Sequence, residues 1–360
     1  MPRYLAPGVY VEETSFRPPT IAEAPSGVTA FVGPTARGPA LELSPPLGSF
    51  EQFSRIYGGA GDLRTGLSWK INYTARAVQA FFAEGGIRLH VVRTRAGGAG
   101  RDVVGDHAAA LAVLDGEPAI SLVAAPGYAE RDPGFGRALL AHVDRPRSHR
   151  FALLEFPRGT TVAQAREAVA VLRSPSAAVY HPWVRVAADG PSRANPTGSD
   201  LRLPPTGFLA GVYARVDRER GLHKAPANEA LRSATGFERA LSAQDQSVLT
   251  PAGVNSLRSF AGRGHLVWGA RTTSLDPEWR YVNVRRFFLH VRHSLERGRE
   301  WVVFEPNDEP LWARVRLAVG NFLAAAWRSG ALVGTKQEEA FFVRCDRSTM
   351  SAADLSSGRL

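Results

Sequence analysis

From Val284 onward the apolar residues Val284, Phe287, Phe288, Val291 and Leu295 recur at i, i+3, i+4, i+7 and i+11, which is one face of a helix. Arg286, His290, His293 and Arg297 fall on the opposite face, so the pattern predicts a solvated or partner-facing basic stripe there. Asp276-Pro277 offers a start and Gly298 a stop. "EWVVFEP" (300–306) reads as a short buried strand, because its apolar residues are contiguous and β-branched or aromatic. A second helix follows, with Asn307 as N-cap and Glu309 and Pro310 in the first turn. Its apolar positions are Trp312, Val315, Val319, Phe322, Leu323 and Trp327, and it ends at Gly330. "AFFVRCD" (340–346) reads as another strand. The stretch from Asp276 to Asp346 is thus expected to be a small α/β module.

Upstream, strand and helix patterns alternate. "VTAFVG" (28–33), "IRLHVVRT" (87–94), Ala119–Ala125, "RFALLEFP" (150–157) and "SAAVYHPWVRVAA" (176–188) predict strands. "SFEQFSRIYGG" (49–59), "YTARAVQAFFAEGG" (73–86), "GFGRALLAHVDRP" (134–146), "TVAQAREAVAVLRS" (161–174) and "TGFLAGVYARVDRERG" (206–221) predict helices. Strands without a clean polar face, interleaved with helices, predict a mainly parallel sheet covered on both sides. Residues 223–272 read as loop-rich, closing in the strand "HLVWGAR". At the other end, "GVYVEE" (8–13) is a strand pattern with no neighbour to pair with, followed by the Pro-rich linker 14–27. Taken alone, the pattern favours an edge strand of its own domain.

Length and composition change this picture little. A chain of 360 residues accommodates two domains, and 44% hydrophobic with 22% charged residues is ordinary for a soluble globular protein. No apolar run approaches the roughly 20 residues that span a bilayer, and "MPRYLAPGVYVEE" is not a Sec signal. A single cysteine, Cys345, excludes an intrachain disulfide framework and fits synthesis in a reducing cytoplasm; its apolar setting predicts a buried structural thiol.

The net charge of +10 raises nucleic acid as a partner. Yet only Lys70, Lys224 and Lys336 among 44 basic residues are lysine, the arginines are dispersed, and no run of five or six basic residues occurs. No zinc-finger spacing or RNP motif is present, and a dispersed basic surface serves an acidic protein partner equally well. Nucleic acid is the less favoured partner.

Candidate chemistry is sparse. "GGAGDLRTG" (58–66) lacks the Gly-Lys-Ser/Thr of a phosphate loop. His290 and His293 have i, i+3 spacing, but Arg286 and Arg297 flank them where a metal would need carboxylate or thiol ligands. Glu296, Glu300, Glu305, Asp308 and Glu309 lie at element ends and read as cap and surface charges. No catalytic, cofactor-binding or metal-ligating residue is assigned.

The stretch "DPEWRYVNVRRFFLHVRHSLERGREWVVFEPNDEPLWARVRLAVGNFLAAAWRSGALVG" resembles the C-terminal domain of contractile tail sheath proteins, found in phage tails and bacterial injection particles. "YLAPGVYVEE", "FVGPTARGP", "QAFFAEGGIRLHVVR", "HRFALLEFP", "VYHPWVRV" and "PPTGFLAGVYARVDRERGLHKAPAN" carry the resemblance along essentially the whole length. It implies a subtilisin-like core sheet flanked by helices over residues 21–262. It also implies a smaller C-terminal α/β sheath domain over 263–360 and an N-terminal arm over 1–20. A hidden serine protease is excluded by "PPTGFLAGVYARV", where Thr206-Gly207-Phe208 offers no serine at the helix start.

The implied function is structural. The subunit would polymerise as a helical homo-oligomer of stacked hexameric rings around an inner tube and contract to drive that tube through a target envelope. Baseplate and tail terminator proteins are further implied partners; nucleic acid, cofactors and direct membrane insertion are not. The resemblance reverses the reading of the first strand: Gly8, Val9, Tyr10, Val11, Glu12 and Glu13 would add to a neighbouring subunit's sheet, with Phe341, Phe342, Val343 and Arg344 as an acceptor edge. Arg286, Arg297, Arg314, Arg316 and Arg328 are the candidate tube-facing residues. The short stretch from Ala96 to Glu117 makes this a minimal sheath, more like those of extracellular injection particles. Family members continue past "MSAADLSSGRL" into a further strand, so a longer gene product is expected. A sheath-like paralogue at the baseplate or tail end, and a basic nucleic-acid-binding protein, are the alternatives.

Overall fold

The contiguous apolar runs do become strands, because only a sheet covered on both faces can bury every residue of such a run. The computed structural model describes residues 20–65, 68–94, 103–132 and 134–356. Its main sheet contains β1 (Thr29–Gly33), β2 (Leu89–Arg93), β3 (Leu122–Ala124), β4 (Phe151–Glu155) and β5 (Ala177–His181). It is completed by β6 (Glu229–Ala230), β7 (Val254–Phe260) and β8 (Gly264–Trp268). The order across the sheet is β6-β8-β7-β5-β4-β3-β1-β2. From β2 to β7 every neighbouring pair is parallel, whereas β8 pairs antiparallel with both β7 and β6.

Period-two alternation splits the strand side chains between two apolar layers. Phe31, Val91, Leu122, Leu153 and Tyr180 face one layer. There they meet α1 (Phe50–Tyr57), α2 (Tyr73–Ala83) and α6 (Thr206–Arg220). Val32, Val92, Val123, Leu154 and Val179 face the other. That layer holds α3 (Val103–Val113), α4 (Phe135–Val143), α5 (Val162–Ala168) and α7 (Ala243–Leu249).

The helix α6 is buried on every side from Thr206 to Asp217. Gly207 and Gly211 permit this, for a Cβ there would lie 2.6 Å from the Ala77 Cα and 2.5 Å from the Phe81 carbonyl oxygen. Two helices thereby pack backbone to backbone. Capping follows the sequence: Ser49, Asn72, Thr161 and Ser242 each accept a backbone N–H at their helix starts.

Three expectations need correction. Residues 176–188 form two strands, β5 and Val184–Val186, separated at His181-Pro182; the second pairs with Leu201–Leu203 and Gly236–Phe237 in a separate small sheet. Proline has no N–H to continue the ladder. The supposedly loop-rich 223–272 contains β6, β7, α7 and β8, because short strands broken by glycine and polar residues leave no periodic signal.

The third correction concerns the C-terminal stretch, which is not α/β. Its described residues carry α8 (Val282–Gly298), α9 (Glu309–Arg328) and short helical turns, with no strand at 300–306 or 340–346. Glu300–Val302 is a single 3₁₀ turn, and Phe304 sits at φ +69°. A strand requires a partner, and neither segment has one among the described residues.

The helix α8 begins at Val282 and not beside Asp276-Pro277, and Asp308 rather than Asn307 caps α9. Asn307 instead accepts the Trp312 indole N–H at 2.6 Å. The chain divides into a body, Glu23–His293, and a second unit made of residues 1–22 and Ser294–Leu360. The division lies beyond the expected boundary at 262, since β8 belongs to the main sheet.

Candidate interaction surfaces

The expected basic stripe on α8 is inverted. Its buried positions are Val282, Arg286, Leu289, His293 and Ser294, a helical period displaced by two residues from the expected one, while Phe288 is exposed. Arg286 is only 4% exposed. Its guanidinium donates to both carboxylate oxygens of Asp217 at 2.8 and 2.5 Å and lies over the Tyr213 ring. His293 stacks on His149 at 3.7 Å between ring centroids. Hydrophobic periodicity finds the wrong face here because the body supplies Asp217 and an imidazole to satisfy polar groups inside. A fully paired ion pair of this kind can be buried, whereas half of one cannot.

Arg286 is therefore removed from the candidate tube-facing set. Arg314 is engaged locally, donating to Glu305 at 2.6 Å with its guanidinium over Trp301. Arg316 donates to the Cys345 carbonyl. Arg297 and Arg328 are exposed. Cys345 itself is buried with Leu311 and Trp312, and burial raises its thiol above the usual range, so the expected structural thiol holds although its strand does not. Phe341, Phe342, Val343 and Arg344 form no ladder among the described residues. Phe341, Phe342 and Val343 instead line a shallow groove of about 320 Å³ with Arg316 and Gly320. Phe342 is 79% exposed. The arm Gly8–Glu13 lies outside the described residues.

Among the described residues, several interior polar groups are paired. Thr206 donates its hydroxyl to Glu155 at 2.8 Å, so the helix start tested for a nucleophile holds a buried carboxyl partner. Burial pushes Glu155 up to about 8, against the Thr206 hydrogen bond. Only its place in the apolar run "RFALLEFP" signals this residue in the sequence. Glu84 caps the end of α2 and takes the backbone N–H groups of Arg232 and Ser233 as well as Arg215. His142 accepts from Arg150 at 2.9 Å and is held down to about 4, by burial first and then by Arg150 and Arg145. Among the described residues no group of three or more histidine, cysteine or acidic side chains could hold a metal. No described helix is long and apolar enough to cross a membrane.

Comparison with known proteins gives a consistent result. Residues 103–273 match the phage tail sheath protein central domain, and residues 274–353 the phage tail sheath C-terminal domain. The tail sheath protein of Burkholderia phage BcepMu is 30% identical over 205 residues, 51% of this chain and 41% of that protein. Matches to curated relatives of this kind thus span about two fifths of the relative's length.

Structural similarity reaches further. The helical sheath of the anti-feeding prophage in its contracted state is similar with a TM-score of 0.79 and 31% identity, covering 98% of this chain and 92% of that one. The sheath complex of an extracellular contractile injection system, PVC, also contracted, gives 0.75 and 27% over 100% and 92%.

Proposed function

Since this chain belongs to the phage tail sheath family, we propose that it is the repeating subunit of a contractile sheath that polymerises helically around an inner tube and shortens to drive the tube outward. The observation carrying this reading is the similarity to a contracted helical sheath over 98% of the chain. Physically, such a subunit needs heterologous contacts that propagate into a helix, and tethers that persist while packed faces exchange. Strand addition by residues 8–13 to a neighbour, with Phe341–Arg344 on the accepting side, meets the second need, because main-chain hydrogen bonds tolerate rotation of the bodies they join. The division into arm, body and C-terminal unit is part of the same proposal. So is a subtilisin-like ancestry of the body, supported by its helix-covered parallel sheet and by the resemblance.

Tube contact falls to Arg297 and Arg328 once Arg286 is inside the body. Exposed ion pairs of this kind contribute about 0–1 kcal/mol each and are screened by salt, which suits a grip that must release on contraction. The subunit stacks in hexameric rings within a phage tail or released particle, with baseplate and terminator proteins at its ends. A baseplate-proximal sheath paralogue is the second reading, favoured by a TM-score of 0.78 and 30% identity to a chain of the six-fold anti-feeding prophage baseplate. Negative-stain microscopy of the full-length protein mixed with its tube protein decides between them. Long tubes of uniform width are expected; single rings confined to tube ends would favour the paralogue, and monomers beside bare tubes would overturn both.

A further inference from the structure

The strand order β2-β1-β3-β4-β5 reverses direction at β1, since the chain passes to one side for β2 and crosses to the other for β3. Loops leaving the carboxyl ends of parallel strands splay apart at such a point and leave a crevice. A cleft of about 890 Å³ lies there. Val32–Ala36 at the end of β1, Arg93 and Thr94 ending β2, Tyr128 and Glu130–Asp132 beyond β3 and Arg158 beyond β4 line it, and Trp69 and Lys70 close one side.

The charges around the cleft are unequally satisfied. Its three carboxylates have protein partners: Asp62 accepts the Ala194 N–H at 2.7 Å, Glu130 accepts the Arg158 N–H at 2.7 Å, and Asp132 meets His107 at 3.1 Å. Lys70, Arg93, Arg131 and Arg158 form no ion pair with a described carboxylate. Arg131 is exposed along the cleft, and desolvation by the groups around it brings its guanidinium down to about 10. Glu155, a buried acid that attracts the Arg131 guanidinium, is itself pushed up to about 8 by burial. Two more buried polar atoms border the site without a partner, the Thr74 hydroxyl beneath Gly33 and the Arg93 Nε.

We propose that this cleft binds a small phosphate-bearing anion, held by Arg131, Arg93, Lys70 and Arg158 along its walls. Guanidinium forks match phosphate oxygens two at a time, and the crevice position shields the pair from water. The inference is independent of sheath assembly, because every residue it uses belongs to the body. Bound ligand would stabilise the body by linkage and would leave the apolar surfaces of the C-terminal unit unchanged.

The test titrates the full-length protein with pyrophosphate, reading Trp fluorescence and the thermal midpoint, with citrate as the carboxylate comparison. A saturable change and a rise of several degrees are expected with pyrophosphate, and weaker effects with citrate. Arg131 also donates to the Pro126 carbonyl, so Arg131→Gln can affect folding. The decisive variant is therefore Lys70→Glu/Arg158→Glu at exposed positions, which should weaken binding by about tenfold or more. Arg297→Glu, outside the body, should leave affinity unchanged. Equal weakening by Arg297→Glu would mean diffuse electrostatic attraction, and either that outcome or the absence of saturation would overturn the proposal.

Discussion

The body and the C-terminal unit solve burial differently. In the body, two apolar layers cover both faces of one sheet, and buried charges such as Glu84 with Arg215 and Asp217 with Arg286 are matched. The C-terminal unit has one long helix, a small cluster around Leu311, Trp312 and Cys345, and large apolar side chains left outside. Phe304 is fully exposed, Phe342 nearly so, and Val303, Leu317 and Val333 join them. Apolar surface in excess of what a monomer needs marks interaction sites. The body exposes Ile87, Val171, Leu275, Tyr281 and Phe288 as well, but beside two packed apolar layers, whereas in the C-terminal unit exposed apolar surface outweighs the small buried cluster and is the better candidate for assembly.

Core truncation gives the largest test of that contrast. Phe151 is fully buried on β4 beneath α6, so Phe151→Ala should cost about 3–5 kcal/mol in urea unfolding. Phe322 on α9 is buried but belongs to neither of the body's two apolar layers, and Phe322→Ala should cost less than half as much. A comparable loss would show that the C-terminal unit has a core as complete as the body's.

The Asp217–Arg286 pair sharpens the comparison next. Asp217→Ala leaves a buried guanidinium unmatched and should cost about 3–5 kcal/mol, whereas Asp217→Leu with Arg286→Met should recover most of the loss. Both are read from the denaturant midpoint. If Asp217→Ala is nearly silent, the guanidinium escapes to solvent, and the helix α8 presents its basic face after all.

Much of the fold could be read from the chain. The parallel strands and their helices follow from apolar runs and glycine stops, as at β1, β4 and α2. What failed did so for two physical reasons. On α8, polar residues are inside because partners more than 60 positions away satisfy them, and no local pattern carries that information. At "EWVVFEP" and "AFFVRCD", β-propensity reports side chains suited to a pleated half-buried surface without supplying one. Of the candidate surfaces, Arg286 loses its place because it is buried, while Arg297 and Arg328 are exposed and their contact with a tube is a proposal. The cleft at β1 was invisible because its basic residues come from four separate segments of the chain.

Acid should discriminate the two regions by a smaller amount. His142 titrates near 6.5 when unfolded and at about 4 when folded, so the unfolded chain binds the extra proton between those values. Its contribution is therefore complete above pH 6.5 and lost as pH falls through 6.5 toward 4. His181, also held down to about 4, acts in the same sense, and both lie in the body. Glu155 acts oppositely: raised to about 8 in the fold, it disfavours folding increasingly as pH climbs from about 4.5 to 8. His142→Gln keeps an acceptor for Arg150 and should flatten the thermal midpoint between pH 6.5 and 4. An unchanged slope would assign the acid sensitivity elsewhere.

The smallest effects on stability should come from the exposed apolar surface of the C-terminal unit, and there the contrast becomes functional. Phe342→Ser and Phe304→Ser remove exposed rings, and solvent-facing substitutions of this kind usually change stability by less than about 0.5 kcal/mol. Ile87→Ser does the same on the body, where Ile87 is also exposed. All three should unfold at the parental midpoint. Polymerisation followed by light scattering should then separate them, with Phe342→Ser and Phe304→Ser slowing or abolishing it and Ile87→Ser leaving it intact. Destabilisation by Phe342→Ser would mean that the ring packs within its own unit, so its exposure could not be reserved for a neighbour. Equal polymerisation by all three would leave the C-terminal unit with unexplained apolar surface and shift the assembly contacts onto the body.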